Sequence, residues 1–199
     1  MGDPRRVRPD ELEIIVAREL RKAGVALSTL AALPRRTTAT PMGASEYSVE
    51  FGAVIGDGDD RRHALIECRN ETAPIGMTAV QSLDARRRAR PVDDGPARLL
   101  DPPHGTPMVD APHIEPQLAI MFSMSGYERD AVREAQSLGI ALLAIADGPA
   151  AFRRSQWAVG AQPPAWVPEY MAEVVDLDPA GAVRSQMLLS GTVKLFPQP

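Results

Sequence analysis

The chain has 199 residues, of which 44% are apolar, 24% charged and 5% aromatic. That length and balance suit one globular domain with an appendage, exclude a wholly disordered chain, and leave the core to aliphatic and alanine packing. The formal net charge of −4 excludes a uniformly basic nucleic-acid binder, although arginines bunch at Arg5, Arg6, Arg8, Arg35 and Arg36 and again at Arg86, Arg87, Arg88 and Arg90.

The first predicted element is a helix over about 11–23, where Leu12, Ile15, Val16, Leu20 and Ala23 recur on one face. Asp10 with Glu13 reads as a cap and capping-box variant, and Gly24 as the stop. Residues 25–45 suggest a short strand and a loop. Residues 46–55 and 62–69 form a predicted hairpin across the polar turn 56–60. Alternation puts Leu65, Glu67 and Arg69 on one side of the second strand and Ala64, Ile66 and Cys68 on the other, with Glu50 on the adjacent strand.

A helix is expected over 76–90, with Met77, Val80 and Leu83 inward and the arginines at its end, where the helix dipole favours cations. The proline-dense stretch 91–116 has no period and reads as a long loop. A buried strand (118–124), a turn at Ser125-Gly126-Tyr127-Glu128 that reads as a capping box, a helix (129–138) ended by Gly139 and a second buried strand (140–146) form a predicted βαβ unit with parallel strands. After Gly148 comes a turn-rich segment, then a hairpin from 173–178 to 182–190 that can cover a sheet edge or pair with a second subunit.

The start, Met-Gly-Asp-Pro-Arg-Arg, has no apolar signal core, and the apolar run Leu138–Ala146 is too short to span a bilayer. The expectation is a soluble cytoplasmic protein without a membrane partner. The lone Cys68 excludes an internal disulfide framework and any CxxC metal module, and reads as a core thiol. Of 22 cationic residues only Lys22 and Lys194 are lysine, so chemistry that needs a lysine has two candidates.

The constellation with chemical content is Glu50 together with Glu67-Cys68-Arg69 on neighbouring strands. Two carboxylates so placed are what a hard divalent cation needs, and an adjacent cation can orient a water or stabilise charge on a phosphate. The same spacing also describes an ordinary cross-strand salt bridge. His104 and His113 with Asp101, Asp110 and Glu115 are of the types that could ligate a metal in the proline-dense loop, although their spacing matches no metal-ligand template, and His63 reads as a solvated edge residue. Trp157 and Trp166 can stack on bases or anchor the tail.

Taken in order, these features resemble the PD-(D/E)xK nuclease superfamily, in particular its Mrr-like restriction-endonuclease branch. The resemblance rests on Leu12-Glu13, Val16-Ala17, Leu20 and Gly24 in the first helix, then Glu50 within Ser48-Val49-Glu50-Phe51, then Glu67-Cys68-Arg69. It continues through Ile75-Gly76 to Val80-Gln81, Ser125-Gly126-Tyr127, Ala131 and Ala135, Gly139-Ile140 and Asp147-Gly148. It implies a restriction-endonuclease-like α/β core over 10–148, a mixed sheet flanked by helices, with a C-terminal β-hairpin extension over 149–199. It further implies Mg²⁺ or Mn²⁺ held by Glu50 and Glu67, with Arg69 positioning the water or the scissile phosphate. Glu13 is either a capping residue or, by the resemblance, the helix acid that faces the metal. DNA would be gripped by Arg86, Arg87, Arg88 and Arg90.

The family's aspartate is Glu50 here, and its catalytic lysine is Arg69, a planar fork that clamps phosphate but is neither a compact point charge nor a proton acceptor. Two functions follow. One is a metal-dependent DNA endonuclease of a restriction or phage-defence system. The other is a catalytically degenerate domain that binds DNA or a partner protein, as a homodimer or within a defence complex.

Overall fold

In the computed structural model the described residues are 7–22, 27–30, 36–39, 47–55, 62–89, 118–154 and 162–187. Their elements in chain order are α1 (Pro9–Lys22), β1 (Leu27–Leu30), β2 (Arg36–Ala39), β3 (Tyr47–Ile55), β4 (Arg62–Asn70), α2 (Met77–Ala89), β5 (Leu118–Ser123), α3 (Arg129–Leu138), β6 (Ala141–Asp147), α4 (Gly148–Arg154), β7 (Tyr170–Leu177) and β8 (Val183–Met187). The turn expected at 56–60, the loop at 91–116, Arg90, Trp157, Lys194 and both histidines of the proline-dense stretch lie outside the described residues.

The strands form one mixed eight-stranded sheet in the order β1-β3-β4-β5-β6-β7-β8, with β2 also on β3. β1 and β2 pair with opposite halves of β3, Leu30 opposite Ala53 and Arg36 opposite Glu50, so together they act as one interrupted edge strand. β3 and β4 are antiparallel, β4, β5 and β6 are parallel, and β7 returns antiparallel beside β6. The C-terminal hairpin therefore continues the central sheet.

Alternation along the strands divides the core into two layers. On one face α1 contributes Leu12, Ile15, Val16 and Leu20, which pack against Val49, Ile66, Cys68, Ile120 and Leu143. On the other face Val80 and Leu83 of α2 and Ala131, Val132 and Ala135 of α3 pack against Leu65, Ala119, Met121 and Leu142. β4 reads as a near-continuous buried run because it is covered on both faces and bonded on both edges. Cys68 is buried on the α1 side and is not in a disulfide.

Several local expectations need adjustment. α1 starts at Pro9, the position where a missing N–H costs nothing, and Glu11 reaches back to the Arg8 N–H at 3.1 Å, while the side chains of Asp10 and Glu13, expected to form the cap, lie outside the described residues. Met77, expected inward, is exposed, because the buried stripe of α2 begins one turn later at Val80. Ser125 does not cap α3: the N-cap is Glu128 without a side-chain cap bond, and the Ser125 hydroxyl donates to the Ala73 carbonyl at 2.6 Å.

α4 was not expected, and it forms because Asp147 accepts the Ala150 N–H at 2.8 Å as an N-cap. Gly148 at its start is required sterically: a Cβ would overlap the Pro168 carbonyl, beside the 2.7 Å bond from its N–H to Glu169 O. Among the described residues no helix is long and apolar enough to cross a membrane.

Candidate functional site

The β3–β4 register places Glu50 directly opposite Glu67, and Ser48 opposite Arg69, all four on the α2 side of the sheet. The convergence expected from alternation is therefore present. Two like charges facing each other across an antiparallel pair repel, and here both side chains are nearly out of solvent, 8% and 4% exposed. Such a pair stays doubly ionised only with a cation beside it.

That cation is Arg86. Its Nε donates to Glu50 Oε2 at 2.7 Å and its Nη2 to Glu67 Oε2 at 2.6 Å, while Nη1 donates to Ser82 Oγ at 2.7 Å one turn back on the same helix. The rigid guanidinium fork suits this bridging role, because its donors point in fixed, diverging directions. The other oxygen of Glu67 accepts the Ser48 hydroxyl and Arg69 Nε, both at 3.0 Å. Arg69 also reaches Glu71 through Nη1 at 2.9 Å. Among the described side chains, three carboxylates meet two guanidiniums in this cluster.

Loops at the C-terminal ends of β4 and β5 brace this corner. The Met124 N–H donates to Arg69 O, Ile75 N–H to Gly126 O and Glu128 N–H to Ile75 O. Gly126 lies at φ 81, and the Ser123 hydroxyl accepts the Ser125 N–H and donates to Gly126 O, which closes the Ser-Gly-Tyr turn. Tyr127 then enters the core, where its hydroxyl bonds Met121 O at 2.7 Å and Leu143 O at 3.0 Å. Burial pushes its phenol well above the ordinary tyrosine value, with the nearby Cys68 and Glu67 adding to the effect.

The remaining sequence candidates are dispersed. The backbone of Glu13 belongs to α1, which covers the opposite face of the sheet, and its side chain lies outside the described residues. Arg87 pairs with Asp84 and donates to Leu138 O at the end of α3, and Arg88 pairs with the same Asp84. Of the arginines expected to grip DNA, Arg86 is turned inward, Arg87 is mostly covered, and Arg88 is exposed. His63 is half-buried at the start of β4, and burial lowers its pKa. Trp166 is exposed and stands edge-on to Phe152 of α4, with ring centroids 5.8 Å apart.

A divalent ion between Glu50 and Glu67 would need their inward oxygens, which are the two that Arg86 occupies. As arranged, the residues do not fit such an ion, and among the described residues no group of three or more His, Cys, Asp or Glu side chains could hold a metal. Sequence reasoning missed Arg86 as the partner of both acids, together with Ser48, Ser82 and Glu71. The signal was available: Arg86 lies three residues beyond Leu83, a neighbouring position on the helix surface, and so borders the sheet-facing stripe of α2. No protein-family model, no curated protein and no solved structure matches the chain.

Proposed function

We propose that the chain is a restriction-endonuclease-like domain that binds DNA without hydrolysing it, as a non-catalytic subunit of a restriction or phage-defence system. The observation that carries this reading is the Arg86 guanidinium set between Glu50 and Glu67, where metal-dependent hydrolysis would need an ion. The element order and the mixed, helix-flanked sheet agree with the resemblance stated above. With Arg69 tied to Glu67 and Glu71, neither of the two positions closest to the acids offers a compact, mobile positive charge. DNA contact then falls to exposed cations such as Arg88.

The test is a plasmid-nicking assay with Mg²⁺ and Mn²⁺ beside a gel-shift series in increasing salt. Wild type and Arg69→Lys are expected to leave the plasmid intact, since the substitution does not move Arg86. Duplex binding should weaken steeply with salt, as phosphate-dominated binding does. Mn²⁺-dependent cleavage abolished by Glu67→Ala would establish the endonuclease instead. Binding that is absent at low salt would leave a protein-interaction role.

A further inference from the structure

We propose that β8 is a self-association edge: two copies of the chain pair β8 with β8, antiparallel about a two-fold axis at Ser185, and so run one sheet into the next. DNA plays no part in this pairing or in its test.

The two ends of the sheet differ. At one end β1 and β2 share β3 as an interrupted edge, and the register slips between Leu27 and Thr29, which blunts that edge as a template. At the other end β8 keeps unbroken register with β7, from Val183 opposite Leu177 to Met187 opposite Glu173, and among the described residues it bonds no other strand. Its residues are all exposed and include no proline or lysine, the types that ordinarily guard an edge. The only charge on it, Arg184, is engaged by Asp176 of β7 at 3.0 Å.

The turn before β8 fixes which backbone groups face outward. Gly181 N–H donates to Asp178 O at 2.8 Å, and Asp178 N–H to Ala182 O at 2.9 Å. Alternation from that bonded position makes Arg184 and Gln186 the residues that exchange bonds with β7, so Val183, Ser185 and Met187 direct their N–H and C=O groups away from the sheet. Rotating a second copy about Ser185 sets Ser185 against its own counterpart and Val183 against Met187. All of these are outward-bonding positions, so each pair exchanges both of its bonds. The side chains agree with that register, because apolar meets apolar, Ser meets Ser, and Arg184 meets Gln186. A register centred on Arg184 would set two arginines face to face, and one centred on Gln186 would place only Ser185 to Met187 opposite residues of β8.

A contact of one five-residue strand per copy is small, so the dimer forms in the micromolar range rather than the nanomolar. Sedimentation velocity of the full chain from about 1 µM to about 1 mM should show a monomer–dimer equilibrium. Ser185→Pro loses the hydroxyl bond to Glu173 but no backbone bond to β7, and it removes an outward N–H. It should keep the circular dichroism of wild type and weaken the dimer at least about tenfold. Gln186→Glu puts a carboxylate opposite Arg184 of the second copy, twice by symmetry, and should tighten the dimer roughly 2- to 30-fold, whereas Gln186→Arg should loosen it comparably. Both responses should shrink in high salt.

A wild type that stays monomeric throughout overturns the proposal and leaves the edge to an extended segment of a different protein, by strand addition. A dimer that a folded Ser185→Pro leaves intact overturns it as well, because another surface then holds the copies together. Should Ser185→Pro fail to fold, the opposed signs of the two Gln186 variants decide, and equal shifts in both sink the idea.

Discussion

At the scale of single residues, the cluster of Glu50, Glu67, Arg69 and Arg86 is asymmetric in burial, and the asymmetry has energetic consequences. Removing Arg86 takes a counter-charge from two covered carboxylates, whereas removing Glu67 takes a partner from arginine side chains that are partly in solvent and can be rehydrated. Arg86→Ala is therefore expected to lower stability by about 3–5 kcal/mol, the usual cost of breaking a buried pair. Glu67→Ala should cost roughly 1–3 kcal/mol. Urea unfolding of both variants without metal checks the order, and a larger loss in Glu67→Ala would refute the argument.

Tyr127 gives a pH prediction. Its folded pKa is raised by burial, so its contribution is fully present below the ordinary tyrosine value of 10.0 and is lost as pH climbs beyond it, where only the unfolded chain ionises freely. Tyr127→Phe should cost about 1 kcal/mol at neutral pH and flatten the decline above pH 10. An equal decline in both proteins would contradict the assignment. Strand alternation made the meeting of Glu50, Glu67 and Arg69 legible in the sequence. Arg86 was hidden because a cation near a helix end is equally well explained by the helix dipole.

At the scale of elements, the βαβ unit β5-α3-β6 and the β3–β4 hairpin were readable because their patterns were local: unbroken apolar runs, spaced alanines, and a glycine at the end of α3. Gly139 does lie in the left-handed region, at φ 67, with its N–H and that of Ile140 closing the helix end. α4 was obscured by Gly-Pro at its start, two residues that ordinarily interrupt a helix, although Asp147 before them is a cap signal. Asp147→Ala should lower stability by about 0.5–2 kcal/mol through loss of that cap. Gly148→Ala should cost more, because the obstacle is the Pro168 backbone carbonyl rather than a side chain that can swing aside. Thermal unfolding of the two variants decides, and a tolerated Gly148→Ala would show that the β7 approach can shift.

At the scale of the whole molecule, the sequence conveyed the layered α/β character but not the continuity of the sheet. β7 and β8 looked like an appendage because the segment between them and β6 is rich in turn residues. Only the pairing of Ala144 with Glu173 and of Ile145 with Ala172 shows that the hairpin extends the same sheet. The interrupted edge formed by β1 and β2 was equally unreadable, since four-residue strands have too little pattern to separate from loop.

β4 is bonded to β3 on one side and to β5 on the other, with a covered layer above and below. Its amides should therefore be among the slowest in the protein to exchange with deuterium, opening only with global unfolding. α2 is held to that strand by Val80, Leu83 and the Arg86 bridge, so it can open as a smaller cooperative unit at lower free energy. The acids thus ride on a strand covered on both faces and bonded on both edges, while their counter-charge rides on a helix packed on one face of the sheet. Native-state exchange that shows α2 opening ahead of β4 would mean that a ligand acting on one helix can uncover Glu50 and Glu67 with the sheet intact.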